Sequence, residues 1–172
     1  MALNFDSRIS AFEQLGLWLE HFLKEVENNR FTDDFNSEFQ AIIERQSREN
    51  GWFTQYNIYS SLAAIRDNLQ AESLNNLRFV YGNRIATSWQ EKIVAVVTGA
   101  FFPLVSFYDF MVVLLTGNVL QIKLHADDKL LLPKIAQKLM EIEPDFSEKI
   151  QFVDQLHDFE RVIITEENGH SE

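Results

Sequence analysis

The sequence predicts a mixed α/β protein in which a helical N-terminal arm precedes the beginning of a parallel β-sheet. Two short β-branched runs, at residues 92–97 and 119–123, are separated by an apolar segment of helical length. A run of this kind without polar alternation is typical of a strand buried on both faces of a parallel sheet. The order of strand, helix and strand therefore predicts a β-α-β unit.

Helical periodicity dominates the first half of the chain. Apolar residues at helical spacing predict amphipathic helices over residues 5–26 and 36–46. Thr54 has the side chain of an N-cap for a third helix, and a short fourth helix is predicted over residues 72–79. We expect Gly82 and the asparagine after it to close this arm.

The second half continues the parallel pattern. After the first strand we predict a helix over residues 103–116, a strand over 119–123, a helix over 129–142, and strands over 150–153 and 161–164. The pair Asp127 and Asp128 can cap the second of these helices. Because crossovers between parallel strands are almost always right-handed, this βαβαβ order predicts the first part of a Rossmann-like, doubly wound sheet.

The 172-residue chain is expected to form a single domain, because one domain usually holds roughly 100–200 residues. Its parts are a helical arm over residues 1–90, a parallel α/β unit over 91–164 and a polar tail over 165–172. No tract rich in Gly, Ser or Pro separates the arm from the α/β unit. We therefore expect both parts to pack on one core.

Composition excludes several classes of function. With 26 acidic and 15 basic residues the net charge is −11, which disfavours binding to DNA, RNA or anionic membranes through a broad positive field. The chain has no cysteine, so disulfides, thiolate metal sites and cysteine nucleophiles are excluded. No apolar run reaches the about 20 residues of a membrane-spanning helix, and the N-terminus lacks the pattern of a signal peptide. We expect a cytoplasmic protein.

The number of aromatic rings is unusual. Fifteen phenylalanines are more than a small core readily hides, because each ring carries on the order of 150–250 Å² of surface. The sequence thus predicts that some rings face a partner or a further piece of structure.

The junction after the first predicted strand is the first candidate ligand site. It begins at Thr98 and Gly99, and open parallel sheets bind ligands beyond the carboxyl ends of their strands. It lacks the G-x-G-x-x-G and G-x-x-x-x-G-K-[ST] patterns that cradle phosphates. Lys123 ends the second strand, where its ammonium could reach a phosphate or a ribose hydroxyl. The alternative is a solvated lysine at a strand end.

The remaining polar candidates favour structural roles. The four histidines are scattered and lack metal-ligand spacing, so no metal site is predicted. Ser106 lies outside a nucleophile elbow. Asp109 interrupts an apolar helix, and because an unpaired buried carboxylate is costly, we expect it to cap a neighbouring turn or to face a cleft. The sequence assigns no catalytic residue.

Several segments taken together resemble one enzyme family. They are Arg-Ile-Ser-Ala-Phe-Glu-Gln-Leu-Gly at 8–16, Asn-Gly-Trp-Phe-Thr at 50–54, Gly-Ala-Phe-Phe-Pro-Leu-Val-Ser-Phe-Tyr-Asp-Phe at 99–110, Leu-Thr-Gly-Asn at 115–118, Ile-Lys-Leu at 122–124 and Asp-Lys-Leu-Leu-Leu-Pro at 128–133. The combination is similar to the acyl-CoA reductases of the bacterial-luminescence (LuxC) type, which belong to the aldehyde dehydrogenase superfamily. The resemblance implies a Rossmann-like cofactor domain of aldehyde dehydrogenase type. It also implies that NADPH reduces a fatty acyl-CoA or acyl thioester to an aldehyde through a thioester on an enzyme cysteine.

The resemblance further implies a set of cofactor-binding residues, Thr98, Gly99, Phe101, Pro103 and Lys123. Lys123 matches the superfamily lysine that contacts the cofactor ribose or its phosphate, and Pro103 matches the proline of the turn that lines the cofactor cleft. Phe101 stands where the family usually has the asparagine that stabilises the oxyanion. Loss of such a donor typically costs a few kcal/mol of transition-state stabilisation.

Two further departures from the family bear on activity. Where the family continues its last strand into Thr-Gly-Ser, this chain has Thr165, Glu166 and Glu167, and the two carboxylates would repel a pyrophosphate. The catalytic cysteine of the family lies in a later half, and no cysteine is present here. We therefore expect the N-terminal part of an acyl-CoA reductase that is not catalytically competent alone.

Two other interpretations stay open. The first is a non-catalytic protein-interaction domain derived from that fold, with a second reductase half, another copy of the chain or an acyl carrier protein as its partner. The second is a generic helical and α/β domain with an unrelated ligand.

Overall fold

The computed structural model describes residues 3–87 and 90–165. Within these residues the elements are, in chain order, α1 (Phe5–Glu27), α2 (Asp34–Glu49), α3 (Gln55–Asn68), α4 (Ala71–Thr87), β1 (Ile93–Val97), α5 (Phe107–Leu115), β2 (Val119–Lys123), α6 (Leu131–Ile142), a 3₁₀ helix (Pro144–Glu148), β3 (Ile150–Phe152) and β4 (Arg161–Ile164). The chain is a mixed α/β protein, as predicted. None of the described helices has the length and apolar character needed to cross a membrane.

The four described strands form one all-parallel sheet in the order β3-β2-β1-β4. This arrangement confirms the parallel sheet that the β-branched runs predict. Val96 of β1 lies opposite Ile122 of β2 on one side and opposite Ile163 of β4 on the other. Side chains paired in this way share one face of the sheet, and here that face belongs to the hydrophobic core.

Helix α1 lies at the centre of that core. Phe12, Leu15 and Phe22 are fully buried, at the spacing of a single helix face. Phe12 contacts Phe110 and Phe146 edge to face, with ring centroids 6.4 and 5.9 Å apart. Because Phe12 lies in the arm while its two partners lie in the α/β unit, one hydrophobic core joins the two parts.

A buried polar network joins α1 to α2. Glu25 accepts hydrogen bonds from the Thr32 N–H at 2.8 Å and from Asn36 Nδ2 at 2.6 Å, and also from the Thr32 hydroxyl. Asn36 Oδ1 in turn accepts from Trp18 Nε1 at 2.8 Å. These bonds satisfy a carboxylate that would otherwise be costly to bury.

Helix α5 begins at Phe107, four residues later than its periodicity predicts. Leu104 has a φ of 59°, a left-handed conformation that a right-handed helix cannot contain. The turn is held from outside, since Ser61 Oγ donates to the Pro103 carbonyl at 2.9 Å and the Leu104 N–H donates to Asp128 Oδ2 at 3.3 Å. The apolar residues before Phe107 therefore form a buried turn.

The same contact shows that the predicted cap of α6 is wrong. Helix α6 begins at Leu131, and Leu130 before it makes no side-chain capping bond. Asp128 does not cap α6, because its carboxylate accepts the Leu104 N–H instead. The N-cap prediction for α3 is confirmed, since Thr54 Oγ1 accepts the Asn57 N–H at 3.1 Å.

Helix α4 is longer than predicted and continues through Gly82. The prediction that Gly82 closes the arm is therefore wrong; a Cβ at Gly82 would lie 3.5 Å from the ring of Phe5, an ordinary van der Waals contact. Beyond that contact α4 is largely exposed. Phe79, Val80 and Tyr81 are exposed apolar side chains of α4, and Phe79 is 91% exposed.

The face of the sheet that bears Ala95 and Gln121 is covered by a loop. Residues 153–160 connect β3 to β4 without a helix, and buried Gln121 holds this loop by accepting the His157 N–H at 2.7 Å. Parallel sheets usually have helices on both faces, whereas here the 153–160 loop takes the place of a helix on this face. In β4, Val162 and Ile164 are 46% and 55% exposed.

Candidate functional site

The carboxyl ends of β1 and β2 meet at a cleft of about 650 Å³. We call it the edge cleft, and the residues that define it are Thr98, Lys123, His125, Lys129 and Asp154. Thr98 connects the two strand ends at this cleft. Its N–H donates to the Lys123 carbonyl at 3.1 Å, and its Oγ1 accepts the His125 N–H at 2.8 Å. The two strand ends are thus held together by one residue.

Positive charge gathers in the edge cleft. Neither the Lys123 nor the Lys129 side chain makes a hydrogen bond or an ion pair within residues 3–87 and 90–165, so both ammonium groups stay free for a ligand. Asp154 supplies a carboxylate on the same wall. The whole chain carries a net charge of −11. The two unpaired lysines therefore concentrate positive charge on an otherwise acidic protein. This arrangement can bind an anion.

A second cleft, of about 480 Å³, adjoins the first. We call it the aromatic cleft, and its defining residues are Trp52, Gly99, Phe101, His125 and Asp127. Trp52 is 76% exposed and Phe101 is 37% exposed. His125 lines both clefts.

Gly99 is required by the backbone around it. A Cβ atom at this position would lie 2.8 Å from the Thr165 carbonyl oxygen and 3.1 Å from the ring of Phe101. Real Cβ atoms essentially never approach a backbone oxygen so closely. Because Gly99 has no side chain, the backbone after β1 can lie close to Thr165, and the ring of Phe101 can lie over Gly99.

Pro103 does not line either cleft. It is buried, and its carbonyl accepts from Ser61. Next to it, burial raises the pKa of Asp128 to about 6, and the Leu104 N–H opposes this rise only in part. Asp128 Oδ1 is buried with no hydrogen-bond partner among the described residues. This carboxylate supports the turn between the clefts and the core.

Asp109 lines neither cleft and contacts Thr165, the residue after the carboxyl end of β4. Its Oδ2 accepts from Thr165 Oγ1 at 2.9 Å, and Ser106 Oγ lies 3.3 Å from the same hydroxyl. Asp109 thus bonds to a side-chain hydroxyl, and among the described residues it neither caps a backbone turn nor lines either of the two clefts, so neither expected role is seen. Glu166 and Glu167 lie outside the described residues.

The structure thus brings together four of the five residues that the family resemblance implies. Thr98 and Lys123 line the edge cleft, while Gly99 and Phe101 line the aromatic cleft. Sequence reasoning missed Trp52, His125 and Lys129. The closeness of His125 and Lys129 to Lys123 in the sequence could have indicated that they belong to the same site. Trp52 lies far from Lys123 along the chain and gave no such indication. Within the described ranges, no group of three or more His, Asp or Glu residues could hold a metal ion.

The described residues form a mixed α/β protein with two clefts at the carboxyl edge of a parallel sheet. No protein-family model matches the chain, and comparisons with curated proteins and with solved structures give no match either. The aldehyde dehydrogenase type of the sheet and the reductase function are therefore proposals.

Proposed function

We propose that this chain is the cofactor-binding part of an NADPH-dependent acyl-CoA reductase, and that the edge cleft holds a phosphate of the cofactor. The observation that carries the proposal is the pair of unpaired lysines, Lys123 and Lys129, at the carboxyl edge of a parallel sheet. Ligands of open α/β sheets bind at this edge, and lysine is a common phosphate ligand.

The acyl-CoA part of the proposal is supported by the sequence resemblance around Pro103 and Lys123. An acyl thioester is reduced in that family after transfer to a cysteine, and this chain contains no cysteine. Phe101 also offers no side-chain donor for an oxyanion. The function proposed for the chain itself is therefore cofactor binding, with turnover dependent on a polypeptide that supplies a thiolate.

Isothermal titration calorimetry with NADPH tests this proposal. We expect Lys123→Ala to weaken binding about tenfold or more, because a hydrogen bond to a charged group contributes roughly 1.5–3 kcal/mol. Lys24→Ala is the matched control: it removes the same charge from α1, where Lys24 pairs with Glu20. Absence of heat with the natural chain, or equal affinity for both variants, would contradict the proposal. Acyl-CoA-dependent oxidation of NADPH by this chain alone should be zero.

A second candidate function is supported by exposed apolar surface. Phe79, Val80 and Tyr81 are three consecutive exposed apolar residues of α4, and they favour the interaction-domain hypothesis. The partner would be a second reductase half, another copy of the chain or an acyl carrier protein. Phe79→Glu should then abolish association in sedimentation velocity, while Leu17→Glu, at an exposed leucine of α1, should not. Monomers of the chain alone would exclude another copy of the chain as the partner, and absence of co-sedimentation with an acyl carrier protein would exclude that partner.

A further inference from the structure

Arg8, near the start of α1, carries a buried guanidinium, and the residue is only 6% exposed. Its Nε donates to the Leu115 carbonyl at 2.9 Å, and its Nη1 donates to the Leu3 carbonyl. Both partners are backbone oxygens. Within residues 3–87 and 90–165 no carboxylate forms an ion pair with this side chain. Because a guanidinium has five N–H groups, the two bonds leave donors for a further ligand.

The positive charge of Arg8 is only partly balanced by these contacts. Leu115 ends α5, and a helix C-terminus carries about half a negative charge. The Phe5 ring lies 5.9 Å from the guanidinium carbon and adds a weak cation–π attraction. Burial lowers the pKa of the Arg8 guanidinium, whereas a paired carboxylate would raise it. A buried charge in this state is costly unless a full opposite charge lies beside it.

A cavity of about 20 Å³ lies beside the guanidinium. We call it the Arg8 cavity, and its charged lining residues are Arg8, Glu91 and Lys149. A single water molecule needs roughly 10–15 Å³ of such volume. The Arg8 cavity therefore holds one water molecule or one monatomic ion, and it is too small for a phosphate or a carboxylate.

The charges around the Arg8 cavity favour an anion over water. Lys149 Nζ forms an ion pair with the Glu91 carboxylate, so these two side chains neutralise each other and the charge of Arg8 remains. We infer that the Arg8 cavity binds one chloride ion, with the Arg8 guanidinium as its principal ligand and the Lys149 ammonium beside it.

The chloride site is separate from the two clefts. Glu91, Asn118 and Lys149 precede β1, β2 and β3, so the Arg8 cavity lies at the amino edge of the sheet. It shares no lining residue with the edge cleft or the aromatic cleft. Leu3 and Arg8 come from the arm, and the other lining residues come from the α/β unit. A bound ion therefore contacts both parts and stabilises the folded chain by mass action.

Urea denaturation in sodium chloride and in sodium gluconate, at equal ionic strength, tests the site. Gluconate is a carboxylate and is too large for the Arg8 cavity. The equilibrium constant for unfolding should fall about tenfold when chloride is present at about ten times its Kd. Arg8→Met should lose this dependence on chloride. Arg78→Met is the matched control and should retain it, because Arg78 pairs with Asp6 at the surface.

Glu91→Gln tests the charge balance in the opposite direction. This change leaves the Lys149 ammonium without its carboxylate partner, so the positive charge around the Arg8 cavity increases. Chloride should then bind several-fold more tightly than it does to the natural chain. A purely structural Arg8, hydrogen-bonded to carbonyls and to a water molecule, would give no such gain.

Chloride NMR line widths measure binding directly and need no variant that must fold. The natural chain should broaden the chloride line, and bromide should compete for the site and reverse the broadening. Absence of broadening, or equal urea midpoints in the two salts, would mean that only water occupies the cavity and would overturn the inference. Arg8→Met with the natural chloride dependence would overturn it as well.

Discussion

Asp128 Oδ2 accepts the N–H of Leu104 at 3.3 Å, while Oδ1 of the same carboxylate is buried without a hydrogen-bond partner among the described residues. Burial raises the pKa of Asp128 from 3.8 to about 6. The folded chain therefore binds this proton more tightly than the unfolded chain does. Asp128 adds stability below about pH 4, and that stability is lost as the pH rises through about 6.

We expect Asp128→Asn to remove this pH dependence. A shift of about two pKa units corresponds to on the order of 3 kcal/mol, so the free energy of unfolding of the natural chain should fall by that order from about pH 4 to pH 7 relative to the variant. Urea denaturation at both pH values measures the difference. Asp145→Asn, at an exposed position, should behave like the natural chain. Parallel pH profiles for Asp128→Asn and the natural chain would contradict the expectation.

Glu25 has the opposite pH dependence. Burial by itself would raise its pKa, but hydrogen bonds from the Thr32 hydroxyl, Asn36 and the Thr32 N–H, together with the charge of His21, outweigh burial and hold the pKa below its usual value. Its stabilising contribution is present above the unfolded pKa and is lost as the pH falls through the folded value.

Glu25→Gln should therefore destabilise the chain near neutral pH by roughly 1–3 kcal/mol, because a buried network loses its charged acceptor. The loss should be smaller in acid. Glu20→Gln is the control on the same helix, since Glu20 makes an exposed pair with Lys24. Denaturation curves that place both variants within error of each other would exclude a stabilising role for the network.

Gly99→Ala should destabilise the chain by roughly 1–3 kcal/mol, the usual cost of forcing extra volume into a filled space. The new Cβ would lie 2.8 Å from the Thr165 carbonyl oxygen, whereas at Gly51 nothing lies within 4 Å of the corresponding position. Gly51→Ala is thus the matched control and should be nearly neutral. A comparison of their urea midpoints tests the close approach, and equal midpoints would refute it.

Phe12→Ala should cost about 3–5 kcal/mol, as expected for a fully buried ring. Because Phe12 touches both Phe110 and Phe146, the arm and the α/β unit should unfold in one transition. Tryptophan fluorescence and far-ultraviolet circular dichroism should give coincident curves for the natural chain. Two separated transitions would mean that the parts are independent.

Local sequence patterns predicted most of the regular structure. The strand Val119–Lys123 and the helix Phe5–Glu27 follow from β-branched runs and helical periodicity, because one residue pattern acts over the whole element. The turn before α5 could not be predicted in this way. Leu104 adopts a positive φ because Ser61 and Asp128 hold its neighbours, and these contacts are distant in sequence.

Some residues of the candidate site could likewise be predicted from local sequence, and others could not. Thr98 and Lys123 were predictable, because the ends of adjacent parallel strands must meet. Trp52 was not, since it reaches the site from the turn between α2 and α3, and only tertiary packing brings that turn beside His125.

Strand β4 pairs only with β1 among the described strands, and Val94 of β1 lies opposite Arg161, 67 residues later in the chain. Closing so long a loop has an entropy cost that local contacts do not offset. During folding β4 should therefore join the sheet after β1 and β2 have paired. In the native state its amide hydrogens should exchange with solvent sooner than those of β1, which is paired with a strand on each side.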